Sequence, residues 1–515
     1  MEEEKYDIVI VGSGLGGLEC GAILSEEGYK VIVLEKNKQI GGNLQIFSRE
    51  KRIFDTGIHY IGGLDKGENL YGYFKYIGIM DDLKIKKLDD DGFDVVSFEG
   101  DPIEYRYGQG YDNFIEIMSG YFPKEREGII KYCNTLKDVC RSFPMYNIEP
   151  RNTEQAHSIY LDINAREFIE SCTDNKKLQQ VLAGTNVLYA GEGDKTPLYV
   201  HALVINSYIE SSWRCIDGGS QIAILLSRKI RNNGGKVVKH AEVVSFDFEG
   251  ENIKSAVLAD GSKIDGDMFI SNMHPAVTLD LIDEGRLRKA YRKRIQSLEN
   301  SISVFIVYLV LKKDRIKYFN RNYYHYIHAD VWNGANYKDR WPEGYALFTG
   351  ISSKTDEYTD AMTIMSYMRY EDTKKWEETF NTVSKDNPSS KDSTRGQEYE
   401  AFKKEKAELL IDELEKRFPN IRDDIESYYT STPLTYRDYI GTTDGSLYGV
   451  SKDHKNPLKS FISAKTKVPN LYLTGQNLNM HGVLGVTIGA VTTCSEIIGH
   501  EKLMAKIKAK IAEDD

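Results

Sequence analysis

The sequence predicts an α/β fold with an inserted α+β domain, on three observations. The chain opens on a strand, a glycine turn, a helix and a second strand in immediate succession. It closes on a short apolar strand running into a glycine-rich helix start. Between them lie two long excursions with helical periodicity and many aromatic residues, each returning to strand-and-turn patterns. With 515 residues the chain exceeds what one compact core accommodates, so substructures that share a site are expected.

In order, residues 6–11 (YDIVIV) read as a buried strand, 12–17 as the glycine turn, 18–27 as a helix and 30–34 as the parallel partner strand. Gly28 falls where a helix end calls for a left-handed residue. Residues 70–215 are mainly helical and rich in Tyr, Phe and Ile. A helix over 221–232 follows Gly218 and Gly219, then strands over 237–248, 255–258 and 269–272 return to the nucleotide sheet. A second excursion spans 301–429. It holds the apolar run 302–311, a polar loop over 384–396, and a helix carrying Phe402, Leu410, Leu414 and Phe418 at helical spacing. A last strand, 470–474, precedes a glycine-rich turn and helix. The expected division is a discontinuous cofactor domain (1–70, 215–300, 430–515) and a substrate domain (71–214, 301–429).

Composition narrows the function. A net charge of −11 supplies no phosphate-neutralising field, so no nucleic-acid partner is expected. The basic run from Arg286 to Arg294 is the local exception. It reads as a solvated helix face rather than an anionic-lipid patch. Six cysteines are scattered without a C-x-x-C pair, giving neither zinc spacing nor disulfide framework, which fits a reducing compartment. Residues 1–5 are acidic and lead straight into a strand, so no signal peptide is expected. The run 302–311 is about half the length of a membrane-spanning helix. A cytoplasmic chain is expected, at most peripheral on the inner face of a membrane.

The turn Gly12-Ser13-Gly14-Leu-Gly16-Gly17 is a dinucleotide fingerprint. Its glycines permit a tight turn, close approach of backbone to pyrophosphate and close helix–strand packing. The following helix aims its N-terminal N–H groups at the phosphates. Glu35, 18 residues beyond Gly17, ends the second strand, where its carboxylate can accept both ribose hydroxyls and repel a 2′-phosphate. A second glycine pair, Gly41-Gly42 before Asn43, and the glycines at 475, 482, 485 and 489 add backbone donors at a distance from the first turn. An extended FAD needs such contacts at both ends, so FAD is expected over NAD. The fold is then an FAD-binding Rossmann-like domain of the glutathione-reductase type, amine-oxidase-like, carrying an inserted substrate domain.

Several further motifs give the chain a family likeness. They are Phe54-Asp-Thr-Gly-Ile-His-Tyr-Ile-Gly62, His201-Ala-Leu-Val, Gly218-Gly219-Ser220, Ser271-Asn-Met-His-Pro275, Thr432-Pro-Leu-Thr435 with Gly445 to Gly449, and Leu471-Tyr-Leu-Thr-Gly-Gln476. With them the chain resembles the phytoene desaturase, carotenoid isomerase and retinol saturase flavoproteins nearly end to end, most of all the retinol saturase branch. The resemblance implies noncovalent FAD and an apolar polyene, isoprenoid or unsaturated-lipid substrate, with hydride moving between flavin and a carbon chain. It implies that Gly12, Ser13, Gly14, Gly16 and Gly17 meet the pyrophosphate and that Glu35, with Lys36 beside it, meets the adenine ribose. Gly42 and Asn43 lie beside the phosphates, Val243 holds the adenine, and Gly475, Gln476, Gly485, Val486 and Thr487 meet the ribityl chain and ring. Asn43 stands where many relatives carry Arg, and His481 falls where subfamilies differ.

Reducing an alkene also requires a proton donor. His59, Tyr60 and His481 are the candidates, with Asn479 next to the last. His274 reads as part of a turn, and His325 and His328 as core. No metal cluster and no hydrolase triad is spelled out. The substrate pocket is expected to be elongated and apolar, built from 70–215 and 301–370. No second nucleotide domain is visible, so the electron donor is open among NAD(P)H, a carrier protein and a quinone. The rival readings are an isomerase or desaturase of the same fold, a prenyl-lipid-binding protein that has lost flavin chemistry, and an amine oxidase. The intact glycine turn and Glu35 oppose the second, and the inserted domain opposes the third.

Overall fold

The computed structural model describes residues 5–149, 159–328, 330–337, 340–353, 357–380 and 395–514. The opening unit is β1 (Tyr6–Val11), α1 (Leu15–Glu26) and β2 (Val31–Glu35). Both strands are apolar and nearly all buried because each is covered on two faces, the usual condition of a parallel sheet. Strand Lys236–Lys239 pairs parallel with β2, β2 with β1, and β1 with Lys263–Ser271, which pairs parallel with Leu471–Leu473. Besides Leu471–Leu473, Lys263–Ser271 serves two neighbours in succession. Residues 263–265 pair antiparallel with 255–257, and residues 266–271 run alongside β1. This strand therefore carries a three-stranded meander, completed by Val243–Glu249, out over the nucleotide sheet.

A second seven-stranded sheet runs in the order Ile425–Ser431, Ser303–Leu311, Ala361–Met368, Gly344–Thr349, Asn322–Tyr326, Asp94–Phe98 and Tyr105–Tyr107. All its pairs are antiparallel except Asn322–Tyr326 with Asp94–Phe98. The apolar run 302–311 is its centre. Val304, Ile306, Tyr308 and Val310 enter the core shared with the helical excursion, while Phe305, Val307, Leu309 and Leu311 pack under helix Gln397–Arg417. Alternate residues thus fill two different cores, which explains ten residues of nearly unbroken apolarity without a membrane span. Among the described residues no helix is long and apolar enough to cross a membrane.

Four details differ from the sequence reading. Helix α1 starts at Leu15, three residues early, because Gly16 and Gly17 are helical and buried. The single strand expected over 237–248 is two, separated by His240 at φ 58°. The mainly helical stretch 70–215 contributes two strands to the second sheet and, at its edges, Ile85–Lys87 and Ser212–Cys215 to a small third sheet. His328 is exposed beside Glu343 rather than in the core, because it lies past the end of its strand. The polar loop expected over 384–396 falls almost wholly outside the described residues. All six cysteines are free and buried.

Candidate functional site: a glycine-lined cleft

A cleft of about 470 Å³ lies at the carboxyl ends of β1 and β2, where open α/β sheets bind ligands. One end is set by Glu35, which is buried. Its Oε2 accepts from the backbone N–H of Ser13 at 3.1 Å and from Ser13 Oγ at 2.5 Å, and its Oε1 accepts from the N–H of Asn37 at 2.8 Å. The carboxylate is thereby fixed in orientation and bolts the glycine turn to the end of β2. Lys36 and Val243 line the same end, with Val244 beside them.

The turn itself closes by a contact only glycine permits. A Cβ on Gly17 would stand 2.1 Å from the carbonyl oxygen of Gly12, so helix α1 could not sit on β1. Asn272, at the end of strand Lys263–Ser271, fills the space the other glycines leave. A Cβ on Gly14 would meet its Nδ2 at 2.7 Å and one on Gly475 its Oδ1 at 2.6 Å. One asparagine thus packs against both the N-terminal and the C-terminal glycine segments. The second glycine pair lies across the turn, with the N–H of Gly41 donating to the carbonyl of Ser13 at 2.9 Å. Gly42 comes close enough that a Cβ there would be 3.2 Å from Gly14 Cα.

The far end comes from the C-terminal helix Gly482–Ile498, whose first turn contributes Gly482, Val483 and Val486, together with Gly475, Gln476 and Tyr448. His481, at its N-cap, packs against Tyr448 with ring centroids 4.4 Å apart and the ring planes tilted by 36°. Its Nε2 is buried without a partner, as are Oδ1 of Asn43 and of Asn479. Burial, with Lys452 nearby, pulls the His481 imidazole down to about 4, so it is neutral at ordinary pH.

Of the residues expected here, Gly12, Ser13, Gly14, Gly16, Glu35, Lys36, Gly42, Asn43, Val243, Gly475, Gln476 and Val486 line the cleft. Gly17, Gly485 and Thr487 sit behind its wall. Gly17 is taken up by the turn contact, and Gly485 is held against Met480. Thr487 Oγ1 donates to Glu19 Oε1 at 2.6 Å, locking the C-terminal helix to α1. Burial raises that Glu19 carboxyl well above its ordinary range. Asn272 and His274, which the sequence marks only as part of a family motif and a turn, join the lining, as do Val277 and Leu281, which no motif marks. His274 does form the expected turn: its Nδ1 accepts from the N–H of Ala276 at 3.2 Å, capping a short helix.

His59 and Tyr60 lie one step behind the cleft-lining Ile58 and face the second sheet. His59 stacks flat on Phe348 at 4.2 Å, and burial lowers it to about 3. Tyr60 donates to Asp94 Oδ2 at 2.7 Å and shares a 2.6 Å hydrogen bond with the Tyr324 hydroxyl. The other Asp94 oxygen accepts from Asn322 Nδ2 at 2.9 Å, and Asn322 Oδ1 accepts from Arg214 at 2.6 Å. Burial, only partly offset by these donors, lifts the Asp94 carboxyl to about 7. A second hollow, of about 690 Å³, adjoins the cleft and shares Gln45, Tyr439 and Ile440 with it. It takes none of its lining from 70–215 and only Tyr308 from 301–370, because the aromatic side chains of those stretches are spent on packing against one another.

The comparisons agree with this geometry. Residues 10–77 match the NAD(P)-binding Rossmann-like domain family. The chain is 27% identical to the all-trans-retinol 13,14-reductase of Rattus norvegicus, covering 98% of this chain and 88% of the relative. It is 24% identical to prolycopene isomerase 2 (chloroplastic) of an Oncidium hybrid cultivar, covering 97% and 86%. Among solved structures it shares the fold of cyclohexylamine oxidase from Brevibacterium oxydans, with TM-score 0.60, 12% identity and 99% of each chain covered.

Two predictions follow from the packing and burial of the site. Gly17→Ala forces α1 off the turn, so the purified variant retains no bound dinucleotide by absorbance while the wild type does. The Asp94 carboxyl keeps in the fold a proton that the unfolded chain releases above about pH 4, so its contribution to stability is lost as pH rises from about 4 to about 7 and is level above. His59, His201 and His481, all depressed, act in the opposite direction at acid pH. Comparing Asp94→Asn with the wild type cancels them. The variant gains stability relative to the wild type over that interval, by roughly 4 kcal/mol at most, read from urea unfolding at stepped pH.

Proposed function

We propose that this chain, a member of the phytoene desaturase, carotenoid isomerase and retinol saturase family, is an FAD-dependent oxidoreductase that reduces a double bond of an apolar polyene or related lipid, in the manner of the retinol 13,14-reductases. The observation that carries the reading is the two-ended construction of the cleft. A fixed carboxylate and glycine turn stand at one end and a helix N-terminus with unpartnered polar groups at the other, with Asn272 packed against both glycine segments. NAD on its own fingerprint needs only the first end. An extended FAD uses both, and the orphaned Oδ1 of Asn43, which lines the cleft, is a partner it would satisfy, with the orphaned atoms of Asn479 and His481 next to lining residues at the far end.

Bound FAD supplies hydride transfer to or from carbon. Ser13, the glycines and the helix N-terminus orient the phosphates, and Glu35 the ribose. His481, neutral and buried, contributes a hydrogen bond rather than a proton at neutral pH. The proton donor is Tyr60, and Asp94 restores its proton. Asp94 is hydrogen-bonded to the phenol, and its carboxyl titrates at about 7, where a general acid and base work best. His59 positions Ile58 and Tyr60 by stacking on Phe348. The substrate domain is the pair of excursions that build the second sheet, and contact with a membrane surface belongs to the same reading, since an apolar substrate resides in lipid. The likeness to prolycopene isomerase favours one second reading, a redox-neutral cis–trans isomerase.

The test is anaerobic reduction of the purified protein with dithionite followed by all-trans-retinol. Return of the oxidised flavin band with formation of a dihydroretinoid is the expected result. A flavin band indifferent to every retinoid and carotenoid offered overturns the reading, and isomerisation of a cis-polyene with the band unchanged selects the alternative. Tyr60→Phe is expected to keep the flavin and to slow turnover about 10²–10⁴-fold, read from the rate of that reoxidation.

A further inference from the structure

We propose that helix Lys289–Gln296 and the loop 452–467 together form a docking surface for anionic lipid bilayers. The sequence alone shows only a basic run. The fold adds a second segment to it. Arg294 Nη1 donates to the carbonyls of Lys459 at 3.1 Å and Phe461 at 3.2 Å, so the helix end grips the loop directly. Residues 286–296 and 452–467 then bring eleven lysines and arginines together with one aspartate, on a chain whose net charge is −11.

Not all of these cations are available. Arg292 is committed to the carbonyls of Leu279 and Ile282, Arg286 to Asp283 and Gly250, and Lys452 to the carbonyls of Ser460 and Leu478. Arg288, Lys289, Lys293, Lys455, Lys459, Lys465 and Lys467 are exposed and have no carboxylate partner among the described residues.

The loop adds an apolar element to the charge. Leu458 is 68% exposed and Phe461 52%, while Ser460 between them and Ile462 beside them are buried. The loop is not slack: Lys452 and Arg294 hold its carbonyls from two sides, and its own turns close through the N–H of Lys459 on the carbonyl of Asn456 and the N–H of Phe461 on that of Leu458. It presents two large hydrophobic side chains to solvent, with the exposed Lys455 and Lys459 beside them in the loop. A nucleic acid or an acidic protein surface would meet the cations and leave Leu458 and Phe461 without a partner. An anionic bilayer satisfies both, with headgroups on the cations and hydrocarbon for the two side chains. The inference also rests in part on the proposed function, because an enzyme of membrane-dissolved polyenes must meet the bilayer to be supplied.

The experiment is flotation of the flavin-loaded protein with phosphatidylcholine vesicles, with and without phosphatidylserine, at low and high salt and with no substrate present. Expected is binding to the phosphatidylserine vesicles only, weakened by salt. Binding should fall about fivefold for each cation reversed in Lys455→Glu and Lys459→Glu, and by about tenfold or more in Leu458→Asp with Phe461→Asp. Ile103→Asp, on a different exposed isoleucine, should bind as the wild type does. No flotation at low salt, equal binding by the patch variants, or capture of duplex DNA in place of vesicles overturns the proposal. Each variant is also assayed on detergent-dispersed retinol, which bypasses the bilayer. A protein that floats but is inert to every retinoid and carotenoid offered leaves this surface standing and removes the polyene reading, and one that reduces dispersed retinol yet never floats does the reverse.

Discussion

The structure turns on the contact between Gly17 and the carbonyl of Gly12, made possible by the missing Cβ and held from the other side by the Ser13–Glu35 hydrogen bonds. With the turn closed in this way, α1 lies directly on the sheet, and its far face is free to receive the C-terminal helix through Glu19 and Thr487. The last quarter of the chain can therefore come back to the first turn. A dinucleotide site completed by residues more than 450 positions apart follows from one helix being allowed to sit unusually close to one strand.

The second sheet lies behind the cleft and walls the adjoining hollow with Tyr308 and residues 428–431. Its central strand buries both faces, which makes it a stiff plate between two cores. Asp94 and Asn322 are anchored in it, Arg214 reaches them from the small third sheet, and Asp94 accepts from Tyr60. A buried carboxyl with a pKa of about 7 costs stability near neutral pH, and such groups cluster where protons are moved. In the proposed function the two sheets divide the work, a glycine cradle for the phosphates and a polar cluster for the proton.

Much of this was legible in the sequence because it is local. Strand, glycine turn, helix and acid fall within the first 35 residues, and nearly all the expected cradle residues line the cleft. The start of α1 was misplaced because glycine is a poor helix former, a preference that the Gly12–Gly17 packing overrides. The break at His240 was invisible because no glycine or proline marks it. The packing role of Asn272, which the sequence shows only as part of a motif, the Asp94 network and the Arg294 grip on the 452–467 loop could not be read. Each owes its role to a partner more than 30 residues away, and no periodicity or spacing records such a meeting.

The central claim is that both ends of the cleft serve one FAD molecule. It is tested most directly by denaturing the purified protein and weighing the released chromophore by mass spectrometry against protein concentration. The account predicts one noncovalent FAD per chain. Release of NAD, or of no dinucleotide even after reconstitution with FAD, would contradict it.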